Sequence, residues 1–128
     1  MSLKDRLKIL VVDDMSTSRG LIVQSLESIG ISQIQLAASG PEAMRTLAQR
    51  PAHLVISDYN MPDMTGIDLL KQLRGCATTQ GIGFILITGR ADQSILEQGK
   101  SWGMNNFLRK PFGTQELKSC LEAVTGRL

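Results

Sequence analysis

The chain has 128 residues, of which 42% are hydrophobic and 20% charged, and a formal net charge of +2. That length fits one domain, residues 1–128, with a single core that buries close to ~70% of the surface an unfolded chain exposes. The composition excludes a disordered or collagen-like chain. The 14 basic residues are scattered without runs or aromatic interleaving, so no nucleic-acid partner is expected.

The longest apolar runs, residues 9–12 and 84–87, are strand-sized and far short of the roughly 20 residues of a spanning helix. Acidic residues interrupt the start, MSLKDRLKILVVDD, which therefore lacks a signal-peptide layout. A cytoplasmic protein with no membrane partner is expected. Cys76 and Cys120 form no CxxC pair and have no histidine at metal spacing; two reduced thiols are expected, with Cys120 packed in a helix face.

In chain order, Lys8 to Val12 is a continuous apolar strand that stops at Asp13 and Asp14. A first helix over residues 16–29 puts Leu21, Ile22, Leu26 and Ile29 inward, with Gly30 closing it. A weaker strand at 34–37 precedes a capping box of Ser39 and Glu42, which opens a helix burying Ala43, Met44 and Leu47 and ending near Arg50-Pro51. Strand three covers 53–57 and runs into the turn-rich 58–66. The third helix turns Ile67, Leu70 and Leu73 inward, and a small, polar connection at 76–83 leads to the strand at 84–87.

Asp92 can cap a fourth helix whose inner stripe, Ile95, Gly99 and Trp102, is thin. Two glycines weaken it by about 1 kcal/mol each where interior, so this helix is the expected moving part. Asn106 to Arg109 forms the last strand, and Thr114 is expected to cap a fifth helix carrying Leu117, Cys120, Leu121 and Val124 inward. Five strands alternating with five helices predict right-handed βαβ units and an α/β fold with a parallel sheet covered on both faces.

Open parallel sheets bind ligands beyond the carboxyl ends of their strands. The residues there are Asp13 and Asp14 after strand one, Asp58 and Asn60 after strand three, Thr88 after strand four and Lys110 after strand five. Three crowded carboxylates either stay partly protonated or are held by a cation; the cation is the more economical, and an all-oxygen set with room for water suits Mg²⁺. Phosphoryl transfer needs a nucleophilic oxygen, a divalent cation and fixed donors; Asp58, the Mg²⁺ site, Thr88 and Lys110 supply them. An aspartate after a strand is commonly just a turn former, but that bland role does not explain Asp13, Asp14, Asp58, Thr88 and Lys110 together. Asp63 and Asp68 are expected to be a loop residue and a first-turn helix charge. His53 lies at the opposite strand end in a structural role, and Met15, Met61 and Met64 are expected to fill gaps near the acidic site.

Four segments, DDMSTSR at 13–19, SDYNMPDMTG at 57–66, ITG at 87–89 and RKPF at 109–112, match in order and spacing a known pattern. Through them nearly the whole chain resembles the response-regulator receiver domains of the CheY-like chemotaxis type. The resemblance implies a flavodoxin-like doubly wound sheet in strand order 2-1-3-4-5 and a cis Lys110-Pro111 bond. It implies phosphorylation of Asp58, Mg²⁺ (with Mn²⁺ as a substitute) held by Asp13, Asp14, Asp58 and the Asn60 backbone carbonyl, and phosphoryl oxygens bound by Thr88 and Lys110. Asn60 and Arg90 occupy positions that tune the acyl-phosphate lifetime. Phe107 stands where many members carry a switching tyrosine, and it lacks the hydroxyl.

The expected protein is therefore a monomeric signalling switch rather than a conventional enzyme. It takes phosphate from a histidine kinase or a histidine phosphotransfer domain and, with no output domain attached, acts by binding a protein such as a flagellar motor switch component. The partner surface is expected around Ile95, Trp102, Phe107 and Lys118. Alternatives are a phosphate sink, a relay intermediate, a degenerate receiver that works unphosphorylated, a flavodoxin-like cofactor carrier, and a haloacid-dehalogenase-like phosphatase. The last wants Asp-x-Asp after strand one, where this chain has Asp13-Asp14-Met15.

Overall fold

The computed structural model of the protein describes residues 2–89 and 92–128. Its elements in chain order are α1 (Leu3–Arg6), β1 (Lys8–Val12), α2 (Ser16–Ile29), β2 (Gln33–Ala37), α3 (Gly40–Gln49), β3 (Leu54–Asp58), α4 (Gly66–Arg74), β4 (Gly83–Thr88), α5 (Gln93–Ser101), β5 (Asn106–Arg109) and α6 (Thr114–Thr125). The strands form one parallel sheet in the order β2-β1-β3-β4-β5, the expected flavodoxin-like arrangement. Six helices stand among the described residues where the sequence predicts five. The extra one, α1, is a single turn closed by Asp5, whose Oδ2 accepts from the Ser2 backbone N–H at 3.2 Å and from its hydroxyl at 3.0 Å; four residues are too few to show a helical period.

Successive side chains of a strand point to opposite faces, and the two cores follow that alternation. Ile9 and Val11 of β1 join Ile56, Ile85 and Ile87 on the face covered by α2 and α6, through Ile22, Leu26, Leu117 and Leu121. Leu10 and Val12 join Val55, Phe84 and Leu86 on the face covered by α3, α4 and α5, through Ala43, Leu47, Ile67, Leu70, Leu73 and Ile95. The central strands are therefore apolar through their middles, and the polar Asp13, Ser57, Asp58 and Thr88 fall at the carboxyl edge of the sheet.

Four sequence expectations need correction. Met15, expected to fill a gap, is 61% exposed. Leu21 is 60% exposed, because the buried stripe of α2 is the narrower Ile22, Leu26 and Ile29 and Leu21 precedes it by about 100° of helical turn. Trp102 is 42% exposed: it is the residue that closes α5, and its ring lies 5.6 Å from the Lys71 ammonium, a cation–π distance. Thr114 does not cap α6 but is its first residue; the cap is Gly113, whose N–H donates to the Glu116 carboxylate at 2.6 Å. The Thr114 hydroxyl instead faces Ser25 Oγ across to α2 at 3.4 Å.

Other caps match their prediction. Gly30 ends α2 at φ 107°, Ser39 Oγ accepts from the Glu42 N–H, and Asp92 Oδ1 accepts from the Ser94 N–H at 2.9 Å. Asp68 does more than place charge in a first turn. With Thr65 it makes a reciprocal capping box, Thr65 Oγ1 accepting from the Asp68 N–H at 3.1 Å and Asp68 Oδ2 from the Thr65 N–H at 3.0 Å.

Candidate functional site

The parallel register places Val12 beside Ser57, Asp58 beside Ile87, and Thr88 beside Arg109. The residues that end β1, β3, β4 and β5 thereby share one edge, next to the β1–β3 boundary where strand order reverses. Asp13 is fully buried, Asp58 and Thr88 nearly so, and Asp14 is exposed. Carboxylate oxygens of Asp13, Asp14 and Asp58 all lie within 4.8 Å of one another.

Hydrogen bonds hold this frame. The Asp13 N–H donates to the Ala37 carbonyl at 3.1 Å, the Tyr59 N–H to the Ile87 carbonyl at 2.8 Å and the Lys110 N–H to the Thr88 carbonyl at 2.9 Å, so each ladder continues past the strand ends. The Lys110-Pro111 bond is cis, as the resemblance implies. The Lys110 ammonium reaches Asp58 Oδ1 at 3.2 Å and Ser18 Oγ at 3.4 Å.

The electrostatics favour a further cation. Burial raises the Asp58 carboxyl above its ordinary 3.8, Lys110 pulls it back down, and the charge of Asp13 adds to the rise. Asp13 Oδ1 accepts from the Met15 N–H at 3.0 Å, whereas Asp13 Oδ2, also buried, has no hydrogen-bond partner among the described residues. A buried carboxylate oxygen without a donor, on a residue clustered with two more carboxylates, is a costly arrangement for a protein alone. The all-oxygen donor set fits a hard divalent ion such as Mg²⁺.

A family profile described as the response regulator receiver domain matches residues 9–122. The chain belongs to that family. It is 40% identical over 128 residues to the probable chemotaxis protein CheY of Rhizobium etli, covering all of this chain and 99% of that one. It is 38% identical over 121 residues to chemotaxis protein CheY1 of Helicobacter pylori, covering 94% and 98%. The structure superposes on chemotaxis protein CheY4 of Vibrio cholerae with a TM-score of 0.86 at 30% identity, covering 92% of this chain and 98% of that one. A second receiver, from a sensor histidine kinase of Pseudomonas aeruginosa with a magnesium ion coordinated in its active-site cleft, matches with a TM-score of 0.83 at 28% identity, covering 94% and 98%.

Within this receiver domain the structure brings Asp13, Asp14, Asp58 and Lys110 together as the sequence predicts, with Thr88 ending the adjacent strand. Asn60 is exposed, two residues beyond Asp58. Arg90 lies outside the described residues. On the expected partner face Trp102 is exposed, while Phe107 and Lys118 are half-buried. Ile95 is 5% exposed and packs into the core beneath α5, so in this conformation it lends the surface no area.

Sequence reasoning assigned no role to three residues of the receiver site. Arg19 Nη1 donates to the Asp13 backbone carbonyl at 2.7 Å, and Ser18 is the second acceptor of Lys110. Both lie inside the DDMSTSR segment, so position alone could have flagged them. Gly66 was counted as a turn former; it approaches the backbone of Asp58 and Tyr59 too closely for any side chain. Ser18, Leu21, Ser25 and Lys110 also border a groove of about 430 Å³ between α2 and the segment joining β5 to α6.

Proposed function

We propose that the protein is a phosphorylation switch of a two-component system in which Asp58 is the phosphoacceptor. The observation that carries this reading is the pairing of a partly buried, cation-seeking carboxylate cluster with a lysine ammonium 3.2 Å from Asp58. An Asp58 oxygen attacks the phosphorus of a phosphohistidine on a histidine kinase or histidine phosphotransfer domain. A P–O bond forms, the P–N bond breaks, and the leaving imidazole nitrogen takes up a proton. Water later attacks the acyl phosphate and releases inorganic phosphate, regenerating the carboxylate.

The carboxylates of Asp13, Asp14 and Asp58 and the backbone carbonyl of Asn60 would hold Mg²⁺, or Mn²⁺ in its place. When bound, the ion neutralises charge on the transferring oxygens. Asp13, its Oδ1 held by the Met15 N–H, would offer Oδ2 to it. Lys110 moves from the Asp58 carboxylate to a phosphoryl oxygen, and the Thr88 hydroxyl donates to another. Asn60 and Arg90 set how readily water reaches the acyl phosphate.

Phosphorylation replaces one negative charge by about two, drawing Thr88 and Lys110 inward and shifting the populations of α5, β5 and α6. The output is the binding of a protein partner at the face of Trp102, Phe107 and Lys118, with Ile95 joining if α5 moves. The chemotaxis names of the relatives support a partner in flagellar motor control. We place the protein in the cytoplasm as a monomeric switch.

The test is intact mass after incubation with Mg²⁺ and a small phosphodonor such as acetyl phosphate, for wild type and Asp58→Asn. One labile phosphate that requires Mg²⁺ and Asp58 supports the switch. An unmodified wild type sinks it and leaves a receiver that works unphosphorylated.

A further inference from the structure

The proposed chemistry leaves one charged side chain beside the acidic cluster without a role. Arg19 stands half-buried in the first turn of α2, and its Nη1 donates to the carbonyl of Asp13 at 2.7 Å. A charge-assisted bond of that length is among the stronger ones a protein makes. The Arg19 N–H donates in turn to the Met15 carbonyl at 2.9 Å, and the Met15 N–H donates to Asp13 Oδ1 at 3.0 Å. One helical turn therefore grips Asp13, a member of the acidic cluster, at its main chain and at one carboxylate oxygen, leaving Oδ2 buried and unpartnered among the described residues.

Arg19 does this without occupying a carboxylate. Among the described residues the one ion pair is Lys110 with Asp58, so the guanidinium forms no salt bridge with Asp13 or Asp14. An arginine serving charge balance alone would pair with a carboxylate and take up an oxygen that a metal needs. We infer that Arg19 is a positioning residue for the divalent cation: it fixes the backbone at Asp13 so that Oδ2 meets the ion in the right place. This rests on the metal-site reading proposed above. Partners that orient metal ligands typically alter metal affinity by about 10–100-fold when removed.

The two roles open to Arg19 differ in sign. A guanidinium beside a dication repels it, so a purely electrostatic role means that neutralising Arg19 tightens Mg²⁺ binding. Positioning means that the same change weakens it. The experiment is calorimetric titration of wild type, Arg19→Met and Asp13→Asn with MgCl₂, on protein shown to be folded by circular dichroism. Arg19→Met is expected to raise the Mg²⁺ dissociation constant by about tenfold. An unchanged or lower constant overturns the inference. Should Arg19→Met not fold, Arg19→Gln, which is neutral and has a shorter donor, is read by the same sign. A wild type that binds no Mg²⁺, indistinguishable from Asp13→Asn, defeats the metal-site reading itself and the inference with it. Mg²⁺ binding by wild type without a loss in Arg19→Met defeats positioning alone.

Discussion

Gly66 lies against the carbonyl of Asp58 so closely that a Cβ on Gly66 would stand 2.6 Å from that oxygen. The same methyl would sit 2.7 Å from Leu86 Cδ1 and 3.2 Å from Tyr59 Cα, and the Gly66 N–H donates to the Tyr59 carbonyl at 2.9 Å. The start of α4 is thus pressed onto the main chain that carries the phosphoacceptor.

Two of those three neighbours are backbone, so Gly66→Ala cannot be absorbed by a rotamer change. It is expected to cost about 1–3 kcal/mol, in the range of other overpacked sites, and to weaken Mg²⁺ binding by moving Asp58. Chemical denaturation and the same Mg²⁺ titration check both effects. A stable variant with wild-type affinity would show that the segment before α4 yields more easily than its contacts imply.

Asp58 makes a pH-dependent contribution of predictable sign when divalent cations are absent. Burial raises its pKa in the folded state above the ordinary 3.8, so the folded protein holds that proton more tightly than the unfolded chain. The stabilisation from protonation is fully present below 3.8 and is lost as pH rises through the folded-state value. In excess EDTA at neutral pH, Asp58→Asn is expected to melt above wild type, with the gap closing on acidification. Mg²⁺ is expected to raise the midpoint of wild type far more than that of the variant, following the ratio of free ion to dissociation constant. Thermal melts across pH with and without the metal measure this directly.

Arg74 ties three segments together. Its Nη1 donates to the carbonyls of Gln80 at 3.0 Å and Ile82 at 2.7 Å, and its Nη2 to that of Gly103 at 2.9 Å. Partial burial lowers its pKa without threatening its charge. Arg74→Met removes every one of these donors while keeping an apolar stem, and should cost about 2–4 kcal/mol given the strength of bonds from charged donors. Because Gly103 follows Trp102, the loss is expected to appear also as faster hydrogen exchange at residues 102–104.

The two thiols differ in reactivity. Cys120 is buried, its pKa pushed up to about 11, whereas the half-exposed Cys76 is lowered, chiefly by its hydrogen bond with Thr78. At about pH 8, iodoacetamide should add once to the folded protein, at Cys76, and twice after unfolding, since the thiolate is the reacting form. Peptide mass mapping that found Cys120 modified first would contradict the packing of α6 on β5.

Local pattern made much of this protein legible. Apolar strand runs that give way to polar residues by Asp13, Asp58 and Thr88 announce a sheet buried on both faces with its polar residues at one edge. The caps at Ser39 and Asp92 act within a few residues of their partners, so sequence order suffices to see them. Leu21 misled because a helix stripe counted by spacing tolerates a neighbour about 100° away, whereas the core of α2 admits only Ile22, Leu26 and Ile29. Trp102 misled because a large apolar ring at the end of a helix can be covered by a lysine such as Lys71 instead of by the core.

The sequence by itself determined the element order, the parallel sheet and which residue types gather at its carboxyl edge, since these follow from the two-residue period of strands and the short range of capping. Only the tertiary structure decided how that edge is held. The Ser18 hydroxyl beside Lys110 joins residues 92 positions apart, and Gly66 serves Asp58 through a contact no period encodes. Arg19 reaches past the carboxylates to a carbonyl because α2 starts where it does on the sheet. Such contacts depend on where whole helices settle against the strands, and that placement is a property of the packed core rather than of any local run of residues.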